Sequence, residues 1–101
     1  MSFCDIFKKE RVTFRLVIQD VFTIKHQGIV VVGLIEQGTL RAGDKVILHR
    51  VDGSDRKVTV GAIEKYRQGI VKSASQGENV GVFLKEITKD DVGKNDILEG
   101  C

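Results

Sequence analysis

The chain has 101 residues, enough for one domain with one modest core, and its 42% hydrophobic and 30% charged residues are typical of a globular protein. Its net charge of +2 excludes a strongly basic protein that binds nucleic acid by bulk charge alone. No apolar run approaches the roughly 18 residues of a membrane helix. Asp5 followed by basic residues disfavours a secretory signal, so we expect a cytoplasmic protein without a membrane partner.

Residues 1–11 are interpreted as an N-terminal cap. Phe3, Ile6 and Phe7 follow the i, i+3, i+4 spacing of one helix face. This short element is expected to pack on the domain that follows, residues 12–101. The native Met1 and the cap-like start favour a natural single-domain protein over an excised piece.

From residue 12 onward, short β-type runs alternate with turns rich in glycine, Asn and Asp, which is typical of a small all-β domain. The predicted strands are VTFRLVI (12–18), GIVVVGLIEQ (28–37), KVILHRV (45–51), RKVTVGAIEKY (56–66), VGVFLKEI (80–87) and a short one around DILE (96–99). About six strands in this length should close on themselves to hide their edges. The predicted fold is therefore all-β, a small closed antiparallel β-barrel.

Gly61 interrupts the fourth predicted strand, and a glycine inside a strand often marks a bulge. Without a bulge, Glu64 would share the inner face with Val58 and Val60, where an unpaired charge is costly. With one, Ile63 turns inward and Glu64 outward. The pattern therefore predicts a bulge at Gly61.

The segment GTLRAGDK (38–45) is close to a phosphate-binding loop but lacks two of its requirements. Asp44 stands where the loop needs lysine, and Lys45 begins a β-type run where the loop needs a helix. We interpret Gly38 and Gly43 as bends between strands, with the Asp44 carboxylate bonding turn amides. The segment therefore predicts no nucleotide site.

The sequence also contains no pattern typical of a metal centre, a catalytic nucleophile or a cofactor site. His26 and His49 each stand alone. Cys4 and Cys101 lack a CxxC partner, which disfavours zinc, and whether they ever pair is left open. We therefore predict no catalytic residues, no metal and no cofactor, and expect a protein that is not an enzyme.

Five motifs, in order, resemble the second domain of elongation factor Tu and related translation GTPases over residues 12–99. They are DVF after the first strand, GIVVVG (28–33), GTLRAGDKV (38–46), the Ile63–Glu64 pair and GENVG (77–81). The resemblance implies a barrel of that type. Asn95 stands where the family usually has glycine, and asparagine tolerates a left-handed conformation well.

The resemblance also implies a binding site, because this barrel in elongation factor Tu helps to hold the 3′ end and aminoacyl group of charged tRNA. The matching positions are Asp20, Phe22, Ile24, Glu64, Tyr66, Arg67 and Asn79. They would supply an aromatic wall for stacking, a carboxylate for ribose hydroxyls and an arginine for phosphate.

Each of these residues also has an ordinary structural interpretation. Asp20 would then cap a turn, and Phe22 would belong to the core. Asn79 would hold a hairpin, and Glu64 would pair with Lys65 or Arg67.

The sequence departs from the family at several positions, and these departures favour a second hypothesis. Gln19 replaces a glutamate, Gln27 and Leu34 replace arginines, Val32 replaces threonine, and the loop 68–76 is longer by one residue. Fewer arginines weaken the attraction of the barrel for phosphate, and an exposed apolar surface often marks the site where a partner protein binds. The alternative is a protein-interaction module that uses Val30, Val32 and Leu34.

The first hypothesis predicts transfer RNA or ribosomal RNA as the partner. The second hypothesis predicts a translation factor, a ribosomal protein or a second copy of the chain as the partner. The family's GTPase domain has no counterpart in this sequence, so we expect no GTP binding by this chain alone.

Overall fold

A computed structural model of the chain describes residues 14–24, 28–85 and 87–100. The predicted cap over residues 1–11, Val12, Gln27 and both cysteines lie outside the described residues. No helix among the described residues is long and apolar enough to cross a membrane.

Eight strands make up nearly all of the described structure: β1 Phe14–Ile24, β2 Gly28–Arg41, β3 Lys45–His49, β4 Asp55–Lys65, β5 Gly69–Val71, β6 Ser73–Ser75, β7 Asn79–Lys85 and β8 Ile97–Gly100. A 3-10 turn, Lys89–Asp91, lies between β7 and β8. Six strands pair antiparallel in the cyclic order β1, β8, β3, β4, β7, β2, and β2 pairs with β1 to close the sheet. The predicted closed antiparallel barrel of about six strands is confirmed.

The segment 68–76, predicted as a loop, is not a simple loop. Its two three-residue strands extend the barrel, since β5 pairs with β4 and β6 pairs with β2. Leu40 of β2 lies directly opposite Ala74 of β6, and both are buried. Neither strand has the β-branched alternation that would predict it. Their pairing depends instead on the longer strands beside them.

The core follows the alternation in the sequence. Phe14, Leu16 and Ile18 point inward from β1, and Val46 and Leu48 point inward from β3, all of them buried. The predicted inner faces of these two strands are therefore confirmed for the described residues. The run GIVVVGLIEQ is apolar on both faces and so predicts a strand covered on both sides. β2 differs from this prediction, because its outer residues Val32 and Leu34 are only half-buried.

Two bulges decide which side chains reach the outer wall. Val60 pairs with Leu84 and Ala62 with Phe83, so Gly61 is the extra residue of β4, and the predicted bulge is confirmed. Ile63 is fully buried and Glu64 is exposed, as that prediction requires. A second bulge, not predicted, lies at Gln19, between the pairs Ile18–Gly33 and Asp20–Val32.

The turn between β2 and β3 confirms the interpretation of its aspartate. The Asp44 carboxylate accepts the Arg41 backbone N–H at 2.9 Å, and the Asp44 N–H donates to the Arg41 carbonyl at 3.1 Å. Lys45 then begins β3 rather than a helix. Gly43 lies in this turn, whereas Gly38, predicted as a bend, lies inside β2 with a φ of +79°. Asn95 adopts the left-handed conformation that its place in the family pattern predicts, with a φ of +74°.

A buried carboxylate holds the segment before β8 against the end of β3. Asp96 is fully buried; it accepts N–H groups from Val51 at 3.0 Å and Gly93 at 2.7 Å and pairs with Arg50 Nε at 2.9 Å. These partners satisfy a group that would otherwise be costly to bury. The sequence predicts Asp96 only as a residue of the last strand, because nothing in the local pattern reveals its distant partners.

Candidate functional site

A groove of about 730 Å³ opens on the outer wall of the barrel, across β1, β2, β7 and β4. That volume falls in the range of small-ligand sites, roughly 300 to 1,000 Å³. Its lining residues are Phe22, Ile24, Val30, Val32, Glu64, Lys65, Tyr66, Arg67, Gln68, Glu78, Asn79, Val80, Gly81 and Phe83. The lining is thus a mixture of apolar strand residues and polar residues near the strand ends.

Strand register builds the groove from two outward-facing rows. In the first row Phe22, Val30, Phe83 and Ala62 stand side by side on β1, β2, β7 and β4. The second row is Asp20, Val32, Gly81 and Glu64 on the same four strands. Side chains opposite one another on adjacent strands lie about 5 Å apart. Residues from four distant segments therefore meet on one face.

The two bulges orient the outermost residues of these rows. Without the extra residue Gln19, Phe22 would fall on the inner face with Ile18, because side chains alternate along a strand. Without Gly61, Glu64 would likewise point inward. Bulges near binding sites commonly reorient side chains in this way.

Gly81 forms the lowest part of the floor. It lies between Val32 and Glu64 in the second row and carries no side chain there. A Cβ at this position would lie 3.4 Å from Val30 Cγ1, a close but tolerable contact. The depression therefore exists because a glycine occupies the centre of the row.

The hairpin between β4 and β5 forms one rim. Tyr66 is 77% exposed, and the Arg67 guanidinium lies 5.2 Å from the centre of its ring, within cation–π range. Arg67 has a φ of +67°, a left-handed conformation that costs a non-glycine residue about 1 to 2 kcal/mol. Strain of this kind is frequent at functional sites.

One ion pair and one unpaired carboxylate face the groove. Lys65 Nζ lies 2.7 Å from Glu78 Oε2. The bond from this ammonium, with another from the Ser75 backbone N–H, holds the pKa of Glu78 below its ordinary value. Glu64 is exposed, and within the described part of the chain its carboxylate takes part in no hydrogen bond or ion pair. Its oxygens are therefore available to hydroxyl donors.

The structure brings together most of the residues singled out from the sequence. Of the seven positions carried over from the resemblance, six line the groove: Phe22, Ile24, Glu64, Tyr66, Arg67 and Asn79. Asp20 lies in the second row but outside the lining, and its carboxylate accepts the N–H of Val21 at 2.9 Å. Val30 and Val32, predicted as a separate protein interface, line the same groove, whereas Leu34 does not.

Three of the ordinary structural interpretations, those for Phe22, Asp20 and the Glu64–Lys65 pair, do not match the structure. Phe22 is 49% exposed and is not a core residue. Asp20 lies within β1 rather than at a turn. Lys65 pairs with Glu78 rather than with Glu64.

Several lining residues were not singled out from the sequence. Phe83 and Gly81 alternate outward on β7, so the period of two in GENVGVFLK could have revealed them. Lys65 and Glu78 are separated by twelve intervening residues and meet through the pairing of β4 with β7, which no local pattern indicates. Within the described residues, no group of three or more His, Cys, Asp or Glu is arranged to hold a metal ion.

The closed six-strand barrel with a groove on its outer wall defines a small β-barrel domain of the kind found in translation factors. The model of the family described as elongation factor Tu domain 2 matches residues 28–99. The match covers most of the chain, and the chain belongs to this family. Domain 2 of elongation factor Tu is a non-catalytic domain.

Proposed function

We propose that the chain is a non-enzymatic module that binds the single-stranded 3′ end of an RNA, including the aminoacyl end of tRNA, in the outer-wall groove. The observation that supports this is the convergence of six family-matched residues on one concave surface. Those residues come from three separate stretches, 22–24, 64–67 and 79. Their convergence is therefore a property of the fold rather than of sequence proximity.

The chemistry of the groove suits an unpaired nucleotide. Phe22 and Tyr66 are exposed aromatic rings on opposite sides, and base stacking on such rings contributes about 1 to 3 kcal/mol per base. The free carboxylate of Glu64 would accept hydrogen bonds from ribose hydroxyls, which distinguish RNA from DNA. Arg67 would contact a phosphate.

The test compares charged tRNA, uncharged tRNA and a three-nucleotide RNA by fluorescence anisotropy at low salt. Glu64→Gln keeps the size of the side chain but removes its charge, so it should weaken RNA binding about 10-fold, the equivalent of about 1.4 kcal/mol. A DNA trinucleotide of the same sequence should bind more weakly than the RNA and respond little to this substitution.

Glu36→Gln is the matched control, because it neutralises a glutamate that pairs with Arg15 on another part of the wall. It should leave RNA affinity within about twofold. Equal effects of the two substitutions, or no binding of any RNA at low salt, would refute the proposal. A preference for charged over uncharged tRNA would extend it to the aminoacyl group.

A second candidate function is protein docking at the same groove. Of the five large hydrophobic side chains that are exposed in the described residues, Phe22, Ile24 and Tyr66 line the groove, and Ile70 stands directly opposite Glu64 in the β4–β5 pair. Apolar side chains clustered in this way are typical of interaction surfaces. A partner, whether a translation-related protein or a second copy, would compete with RNA. Concentration-dependent sedimentation that RNA reverses would favour this function.

We also propose that the chain alone binds no guanine nucleotide. The turn at Gly43 and Asp44 uses its amide and carboxylate for its own hydrogen bonds, which leaves no amide cradle for phosphate. Saturable binding of a labelled guanine nucleotide would refute this.

A further inference from the structure

Three lysines lie together on the outer wall of β3, β4 and β7. Lys45 is directly opposite Thr59 on β4, and Thr59 is directly opposite Lys85 on β7. Lys57 stands two residues before Thr59 and faces the same way, next to Ile47. All three lysines are exposed. Two strand spacings separate Lys45 from Lys85, about 10 Å, so the three form one compact surface, here called the lysine face.

The carboxylates nearest the lysine face already bond to other side chains. Asp55 lies 2.6 Å from His49 Nδ1. Glu99, beside Ile47, lies 3.0 Å from both His49 Nε2 and Arg15. Among the described residues, no ion pair involves a lysine of the lysine face. Within the described part of the chain, its three ammonium groups therefore have no ion-pair partner.

Asp91 is a further acidic residue of the described chain near Lys57, and its carboxylate also has partners. It pairs with Arg56 at 3.2 Å and also accepts the Thr88 N–H at 2.9 Å. Asp44 bonds its own turn through the Arg41 amide. Each of these carboxylates thus has a hydrogen-bond or ion-pair partner other than a lysine of the lysine face.

The lysine face is continuous with the groove. Phe83 lines the groove, and Lys85 follows it two residues later on the same outer side of β7, about 7 Å along the strand. The Lys85 side chain leans across β4, since a Cβ on Gly61 would lie 3.3 Å from Lys85 Cε. The Gly61 bulge thus leaves space for this lysine between the groove and Lys57.

We infer that the lysine face binds the phosphodiester backbone of the RNA whose 3′ end occupies the groove, extending the contact by several nucleotides. This inference rests on the proposed function. Lysines act as point charges for phosphate without reading the base, so the added contact would be independent of sequence and sensitive to salt. The Thr59 hydroxyl, central in the row, would add a neutral donor.

The test uses two RNA probes with the same 3′ end, one of three nucleotides and one of twelve. Their affinities are measured by anisotropy between 50 and 200 mM salt. The wild type should bind the twelve-nucleotide probe more tightly and with a steeper salt dependence. The double substitution K45Q/K85Q should reduce the slope of log K against log salt by about 1.4 for that probe, at about 0.7 per lost contact. Affinity for the three-nucleotide probe should change less than twofold.

The matched control is K89Q/K94Q, which removes the same charge from two exposed lysines in the segment between β7 and β8. Circular dichroism of both variants checks that the barrel is retained. Equal slopes for the two variants would overturn the inference even if the short probe binds normally. A twelve-residue polyglutamate peptide that binds more tightly than the RNA at the same salt would also overturn it.

The two proposals fail in different ways. If the three-nucleotide probe does not bind but K45Q/K85Q still weakens the twelve-nucleotide probe, the lysine face binds RNA backbone by itself, and the groove function fails together with the link between the two surfaces. If Glu64→Gln weakens the short probe and K45Q/K85Q matches its control, the groove function stands and the inference fails.

Discussion

At the scale of single residues, Arg67 combines backbone strain with an exposed charge. Its left-handed conformation favours glycine or asparagine, and the chain already places Asn95 at such a position. We predict that Arg67→Asn changes the free energy of unfolding by less than about 1 kcal/mol, because relief of strain offsets the lost cation–π contact. The same substitution should lower the salt slope of RNA binding by about 0.7. Urea denaturation and anisotropy titrations measure the two effects.

Lys94→Asn is the control for this substitution, since Lys94 is exposed and does not line the groove. It should leave the salt slope unchanged. A loss of stability well above 1 kcal/mol in Arg67→Asn, or an unchanged slope, would contradict the role given to this arginine.

At the scale of strands, the bulge at Gly61 determines which residues of β4 face the groove. Deleting Gly61 should move Ile63 outward and Glu64 into the core, because a shift of one residue exchanges the faces of a strand. We predict that the deletion abolishes cooperative unfolding or lowers its free energy by more than about 3 kcal/mol. Thermal and urea denaturation, followed by circular dichroism, provide the measurement.

Gly61→Ala is the matched control, because it keeps the residue count and adds a Cβ that would meet mainly the flexible Lys85 side chain. It should cost no more than about 1 kcal/mol. A deletion variant as stable as this control would show that the bulge is not needed to orient β4.

The strands also show how far the sequence predicts this molecule. The alternation in VTFRLVI and KVILHRV predicts the inner faces of β1 (Phe14, Leu16, Ile18) and β3 (Val46, Leu48). A glycine followed by a misplaced glutamate predicts the bulge in β4. No comparable local signal exists at Gln19, which has no unusual backbone preference, so the outward turn of Phe22 follows only from pairing with β2. The lysine face is also a product of register, since its members are separated by 11 and 27 intervening residues.

At the scale of the whole molecule, three carboxylates in separate turns link stability to pH. Hydrogen bonds from the Ser54 hydroxyl and N–H keep the pKa of Asp52 below its ordinary 3.8, and the Thr88 N–H and hydroxyl do the same for the pKa of Asp91. The Lys65 ammonium lowers the pKa of Glu78 from 4.5. Each of these three carboxylates binds a proton less readily in the folded state than in the unfolded state. Their stabilising contribution is therefore complete above about pH 4.5 and disappears as the pH falls through the lowered values.

We predict that the triple substitution D52N/E78Q/D91N reduces the free energy of unfolding near pH 6, where the wild-type carboxylates are charged and bonded. The wild type and the variant should converge as the pH falls through the lowered pKa values, because protonation then removes the same charges from the wild type. Urea denaturation at several pH values between 6 and 2 measures the difference between them. A difference that stays constant over this range would show that these turns do not contribute to the acid sensitivity of the barrel. Since Glu78 also lines the groove, a parallel loss of RNA affinity in Glu78→Gln alone would connect the same ion pair to binding.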